Sequence, residues 1–222
     1  MRIAPVFLSL ALIATICGDA SAAAPVAAHD GAVRHHPVRA HKLTTLYDQT
    51  GHDSGIAIVS QNFEDDFDTY DTMVADDFAV PEGTRWRIRE IEVIGTYFNG
   101  IGPAQSLNIS IHRNKDGLPG KLVAKYDSIA MVDDNQGSFV VRLPNWLTLK
   151  PGGYWISVQA NMDFVEGGEW GWETASIVVH DPALFQNPGD GFASGCTTWA
   201  PLKSCIDSAQ GDMLFALRGK ER

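Results

Sequence analysis

The sequence predicts an all-β fold, two antiparallel sheets packed as a β-sandwich of jelly-roll type, on three observations. Short runs rich in β-branched and aromatic residues recur from Leu43 onward, Gly, Pro, Asn and Asp punctuate them, and almost no segment sustains a helical period. Many short strands in one domain need two packed layers, because a single flat sheet cannot bury its apolar face.

Taken along the chain, the first element is an export signal. Met1-Arg2 supply a positive start, Ile3 to Ile16 an apolar stretch, and Ala20-Ser21-Ala22 a small-x-small cleavage pattern, so residues 1–22 are expected to be removed. The apolar run is shorter than the ~20 residues a membrane span needs, so no transmembrane anchor is expected after processing. The signal directs the chain to the periplasm or the medium. Residues 23–42 follow, rich in Ala, Pro and His without an apolar period, and are read as a disordered linker. Its histidines, His29, His35, His36 and His41, suit either a solvated tail or a weak transition-metal tract.

The sandwich domain is assigned to residues 43–222. Strict alternation in Leu107 to His112 puts Leu107, Ile109 and Ile111 on a buried face and Asn108, Ser110 and His112 on the other. Ile91, Val93, Gly95 and Tyr97 share a face, but Trp86 and Ile88 have the opposite parity, which predicts a bulge near Arg89 or Glu90. Further strands are expected at Leu122 to Tyr126, Phe139 to Leu143, Tyr154 to Ala160, Glu169 to Glu173, Ile177 to Val179 and Met213 to Leu217. Asn114 to Gly120 reads as a turn between two of them. After signal removal Cys196 and Cys205 remain, and a pair in an exported chain predicts a disulfide.

Composition narrows the partners. The 222 residues carry 27 acids against 17 bases, a net charge of -10, and nucleic-acid binding needs a clustered basic surface instead. Within the expected strand at Tyr154, Trp155, Ser157, Gln159 and Asn161 share one face, where a flat ring beside amides and a hydroxyl suits a sugar. The glycine-rich stretch Asn187 to Phe192, leading to Cys196 and Trp199, is expected to form a constrained rim loop, with Asp190 and Trp199 as its binding candidates. Glu64, Asp65, Asp66, Asp68, Asp71, Asp76 and Asp77 crowd into one short segment. Calcium suits such hard oxygen ligands, with Asp76 and Asp77 the nominated pair, and a solvated acidic surface is the alternative.

No catalytic motif is evident. Glu169 and Glu173 would lie ~13 Å apart on one extended strand, too far for a glycosidase pair, while Glu166 with Glu169 passes on spacing alone. Neither a Gly-x-Ser-x-Gly elbow nor a His-Glu-x-x-His helix occurs.

The run Ile109 to Gly120, the segment Ala75-Asp76-Asp77-Phe78 with Val80-Pro81, and Gly153 to Val158 together resemble secreted bacterial β-sandwich domains similar to carbohydrate-binding modules. The resemblance implies a jelly roll in an exported protein and brings no catalytic residue. The function expected is a noncatalytic module for extracellular polysaccharide or cell-surface glycan. The alternatives are a structural or adhesive envelope protein and a polysaccharide-cleaving enzyme using Glu166 or Glu169.

Overall fold

The computed structural model describes residues 26–28, 43–209 and 211–222. The expected signal sequence and the four linker histidines lie outside the described residues. In chain order the strands are β1 (Val26–Ala28), β2 (Thr44–Asp48), β3 (Asp53–Val59), β4 (Gln61–Asn62), β5 (Met73–Val80), β6 (Trp86–Val93) and β7 (Gly95–Phe98). There follow β8 (Ser106–Lys115), β9 (Leu118–Ile129), β10 (Met131–Asn135), β11 (Ser138–Leu149), β12 (Gly152–Asn161) and β13 (Glu169–Ala175). The last are β14 (Leu184–Gln186), β15 (Ala200–Pro201) and β16 (Phe215–Glu221). Two single-turn helices, α1 (Phe164–Gly167) and α2 (Leu202–Cys205), and a 3₁₀ helix at Asp65–Tyr70 complete the elements.

The chain is all-β, and its strand pairs are antiparallel apart from the short β4·β12 contact. One large sheet runs β15-β14-β5-β12-β8-β9 with β4 beside β12, and a second runs β10-β11-β6-β16-β2. Their inner faces meet in one core, where Val74, Phe78, Ile109, Ile111, Ile156 and Val158 face Ile88, Ile91, Val141 and Leu217. A third sheet, β1-β3-β13-β7, adds Ile58, Trp170 and Trp172 to that core. It is joined to the others by single residues: Ser60 separates β3 from β4, and Ile94 separates β6 from β7. Ile94 donates its N–H to Leu214 and accepts from Glu173, so this corner is hydrogen-bonded on both sides.

Local sequence explains most boundaries. β8 and β9 form a hairpin closed by Asp116-Gly117, both with positive φ of 56° and 77°, the geometry that an Asp-Gly pair adopts at least cost. Asn114 accepts the Gly117 N–H at 3.0 Å and fixes the turn. The bulge expected near Arg89 is present: opposite β16, Arg218 pairs with Glu90 and Gly219 with Ile88, so Arg89 is passed over. Ile177 to Val179 does not form the expected strand. The segment has no sheet partner among the described residues and is held instead by Asp212, which donates to Ile177 and accepts from Val179. Within the tract read as a linker, Val26–Ala28 pairs with Ile56 to Ile58 at the edge of β3.

Candidate functional site

The period of two in β12 and β8 fixes which residues meet. On the outer face of the large sheet Trp155 pairs with His112, Ser157 with Ser110, Gln159 with Asn108 and Asn161 with Ser106. At the Asn161 end these side chains form a connected ladder. Asn108 donates to Gln159 at 3.1 Å and to Asn161 at 2.8 Å, and Asn161 donates to Ser106 at 2.9 Å. His112 lies 3.1 Å from the Ser110 hydroxyl. Ser106, Asn108, Ser110, His112 and Asn161 are half-buried, while Gln159 and Ser157 are buried and tied to the carbonyls of Thr72 and Val74. The result is a strip of amides and hydroxyls held in place by one another, most of them at half-buried positions.

Trp155 is where the structure corrects the sequence reading. It belongs to this face as expected, yet its exposure is 0%, so it offers no surface platform. Ala75, Leu184 and Trp199 pack over it. β12 is a central strand, with the sandwich core on one face and, at this end, the chain from β14 to β15 on the other. The indole N–H of Trp155 has no partner. Trp199 is the half-buried ring on the outside of the pair. Of the six tryptophans, Trp86, Trp155, Trp170 and Trp172 are buried, and Trp146 and Trp199 are half-buried.

The loop from Asn187 to Trp199 is constrained as expected. Cys196 and Cys205 form a disulfide with Cα atoms 5.9 Å apart, within the usual range. Buried Asn187 donates to the carbonyls of Thr69 and Asp71 at 2.9 and 2.8 Å, and Gly191 donates to Thr69. The exposed Asp190 spends one carboxylate oxygen inside the loop, accepting from Gly195 at 2.8 Å. The structure thus places Gln159, Asn161 and Trp199 with the outer sheet face and Asp190 in the rim loop.

The acidic residues separate by role. Asp76 and Asp77 are neighbours on β5 and so point to opposite faces, which prevents their side chains from acting together as a ligand pair. Asp76 turns inward, accepts from Gln49 and at 2.8 Å from Met213, and holds its proton well above the usual range because burial and the nearby Asp212 disfavour its charge. Asp77 turns outward beneath Asp181, and burial, reinforced by the charges of Asp181 and Asp212, pushes it up to about 7. Among the described residues no group of three or more His, Cys, Asp or Glu side chains is arranged to hold a metal ion. Glu64 caps α1 by accepting from Phe164 at 2.7 Å and Val165 at 3.2 Å, Asp71 accepts from Phe63 at 2.8 Å, and Asp65, Asp66 and Asp68 are exposed.

Glu166 and Glu169 differ in setting. Glu166 is exposed and lines a cleft of about 290 Å³ with Gln105, Met162 and Asp163. Glu169 is buried, accepts from Asn99, and is pushed up to about 7 by burial.

Two features were not singled out from the sequence. The polar positions of β8 complete the ladder, and the alternation in Leu107 to His112 was their signal. Phe63, Phe67, Tyr70, Phe164 and Phe192 form a chain of ring contacts with centroids 5.2 to 6.5 Å apart, beside the acidic turn. Phe67 and Tyr70, three apart, share one side of the 3₁₀ helix, and Phe63 lies just before it.

The fold and this face define an all-β sandwich with a polar, preorganised outer sheet surface. Comparison with family models, with curated proteins and with solved structures found no match.

Proposed function

We propose that this chain is an exported, noncatalytic binding module that holds an extracellular glycan on the outer face of its large sheet. The observation that carries the reading is the ladder of Asn108, Gln159 and Asn161 with Ser106, Ser110 and His112. Amides and hydroxyls fixed by one another lose little side-chain entropy when a sugar replaces water on them. Trp199, half-buried over Trp155, supplies a ring beside the polar strip, and sugars present an apolar C–H face to such rings. The buried Trp155 serves as the support for Trp199.

The test is calorimetric titration with a panel of soluble polysaccharides. Wild-type protein is expected to bind at least one of them, the Asn108→Ala/Asn161→Ala variant to bind it about tenfold or more weakly, and Trp199→Ala to lose the accompanying fluorescence change. Undiminished affinity in the double amide variant overturns the reading, as does the absence of binding across the panel.

A further inference from the structure

At the Gly152 end of β12, some 30 Å along the strand from Asn161, the charge of the molecule reverses. Gly83, Thr84, Arg85, Lys150, Pro151 and Arg222 line a pocket of about 370 Å³, within the range of small-molecule sites. Three of its six lining residues are cations, in a chain of net charge -10. Arg87 and Lys220 stand beside them, 4.9 and 5.4 Å from the centre of the Trp146 ring, and Arg113 lies 4.3 Å from that of Tyr154. Among the described residues the ion pairs are Lys125–Asp127, Lys203–Asp207 and those of Arg218 with Glu90 and Glu92, and none of them takes in any of these six cations. Glu82 and Glu221, the acidic side chains adjoining in sequence, are exposed.

The walls are built rather than loose. Arg85 and Arg222 exchange both backbone hydrogen bonds, at 2.7 and 2.9 Å, which sets the two residues side by side just beyond the paired ends of β6 and β16. Arg113 donates to the Pro151 carbonyl at 3.2 Å and so braces the opposite turn. Cations gathered around one concavity repel each other, and an anion in their midst removes that repulsion. An arginine fork matches the two oxygens of a carboxylate or sulfate.

We propose that this pocket binds the oxyanion of an acidic sugar, a uronate carboxylate or a sulfate ester. The inference rests on the glycan reading of the sheet face and names the class of glycan. A nucleic-acid backbone is the poorer fit, because tracking its phosphates takes an extended basic surface and this chain, of net charge -10, offers a single basic pocket here.

The test titrates wild-type protein, Arg85→Gln/Lys150→Gln and Asn108→Ala/Asn161→Ala with oligogalacturonate, dextran sulfate, neutral dextran and single-stranded DNA, at low and high salt. Both arginine and lysine side chains are exposed, so their replacement leaves the core intact. An acidic probe is expected to bind wild type, to bind Arg85→Gln/Lys150→Gln about tenfold or more weakly, and to lose most of its salt dependence in that variant. Equal affinity of wild type and this variant for both acidic probes overturns the proposal, as does DNA binding as tight as that of the oligosaccharides. If a glycan bound by wild type is lost only in the amide variant, the pocket is wrong and the sheet face stands. If acidic probes depend only on the pocket, the sheet-face reading fails and the anion site stands.

Discussion

Glu169 illustrates what burial does to a carboxyl with no cation beside it among the described residues. Asn99 donates to it, which favours the charged form, but desolvation is the larger effect and raises it from 4.5 to about 7. Asp77, raised to about 7, and Asp212, raised to about 6, behave alike. In each case the folded state holds a proton that the unfolded chain releases near pH 4. The stabilisation from these protons is complete below the unfolded pKa and is lost as pH rises through about 6 to 7. Denaturant unfolding is therefore expected to give higher stability at pH 5 than at pH 8. Glu169→Gln is expected to flatten that dependence by an amount on the order of 3 kcal/mol at most. A profile in Glu169→Gln identical to wild type rules out Glu169 as a source.

Among the elements, the loop closed by Cys196–Cys205 carries the most remote influence. It presses Trp199 onto Trp155 and, through Asn187, clasps the 3₁₀ turn, so loosening it disturbs both ends of the outer face. Cys196→Ser/Cys205→Ser is expected to lose about 2 to 3 kcal/mol by loop-closure entropy, read as a lower denaturant midpoint, with increased fluorescence quenching of Trp155 and Trp199 by acrylamide. An unchanged midpoint would mean that Asn187 and the packing of Leu184 alone hold the segment. The elements also show what sequence can reveal. The parity of β8 and β12, the Asp116-Gly117 hairpin and the bulge at Arg89 were legible because each is fixed by neighbours within a few positions. Ile177 to Val179 misled, since a short β-branched run looks the same whether or not a strand edge is free to receive it. The cover over Trp155 was equally hidden: Leu184 and Trp199 follow it in the chain at distances that no local period encodes. Arg85, Lys150 and Arg222 meet only because three separate chain ends and turns converge.

At the scale of the whole molecule, charge and polarity are sorted along the long axis of β12. Acidic side chains crowd the turn at Asp65 to Asp68, amides occupy the outer sheet near Asn161, and cations collect beyond Gly152. The inner faces are mainly apolar, and among the polar groups buried with them Asp76 ties Gln49 and Met213 to β5.

The single-residue corners at Ser60 and Ile94 have a mechanical consequence. The chain enters the small sheet from a strand it shares with each larger one, so no sheet can peel away without pulling apart the ladder of the next. The molecule should melt as one cooperative unit, with calorimetric and van't Hoff enthalpies equal and the slowest-exchanging amides of β3, β6 and β12 opening at a common free energy. A separate, earlier release of the β3 and β13 amides would show that the corners act as hinges instead.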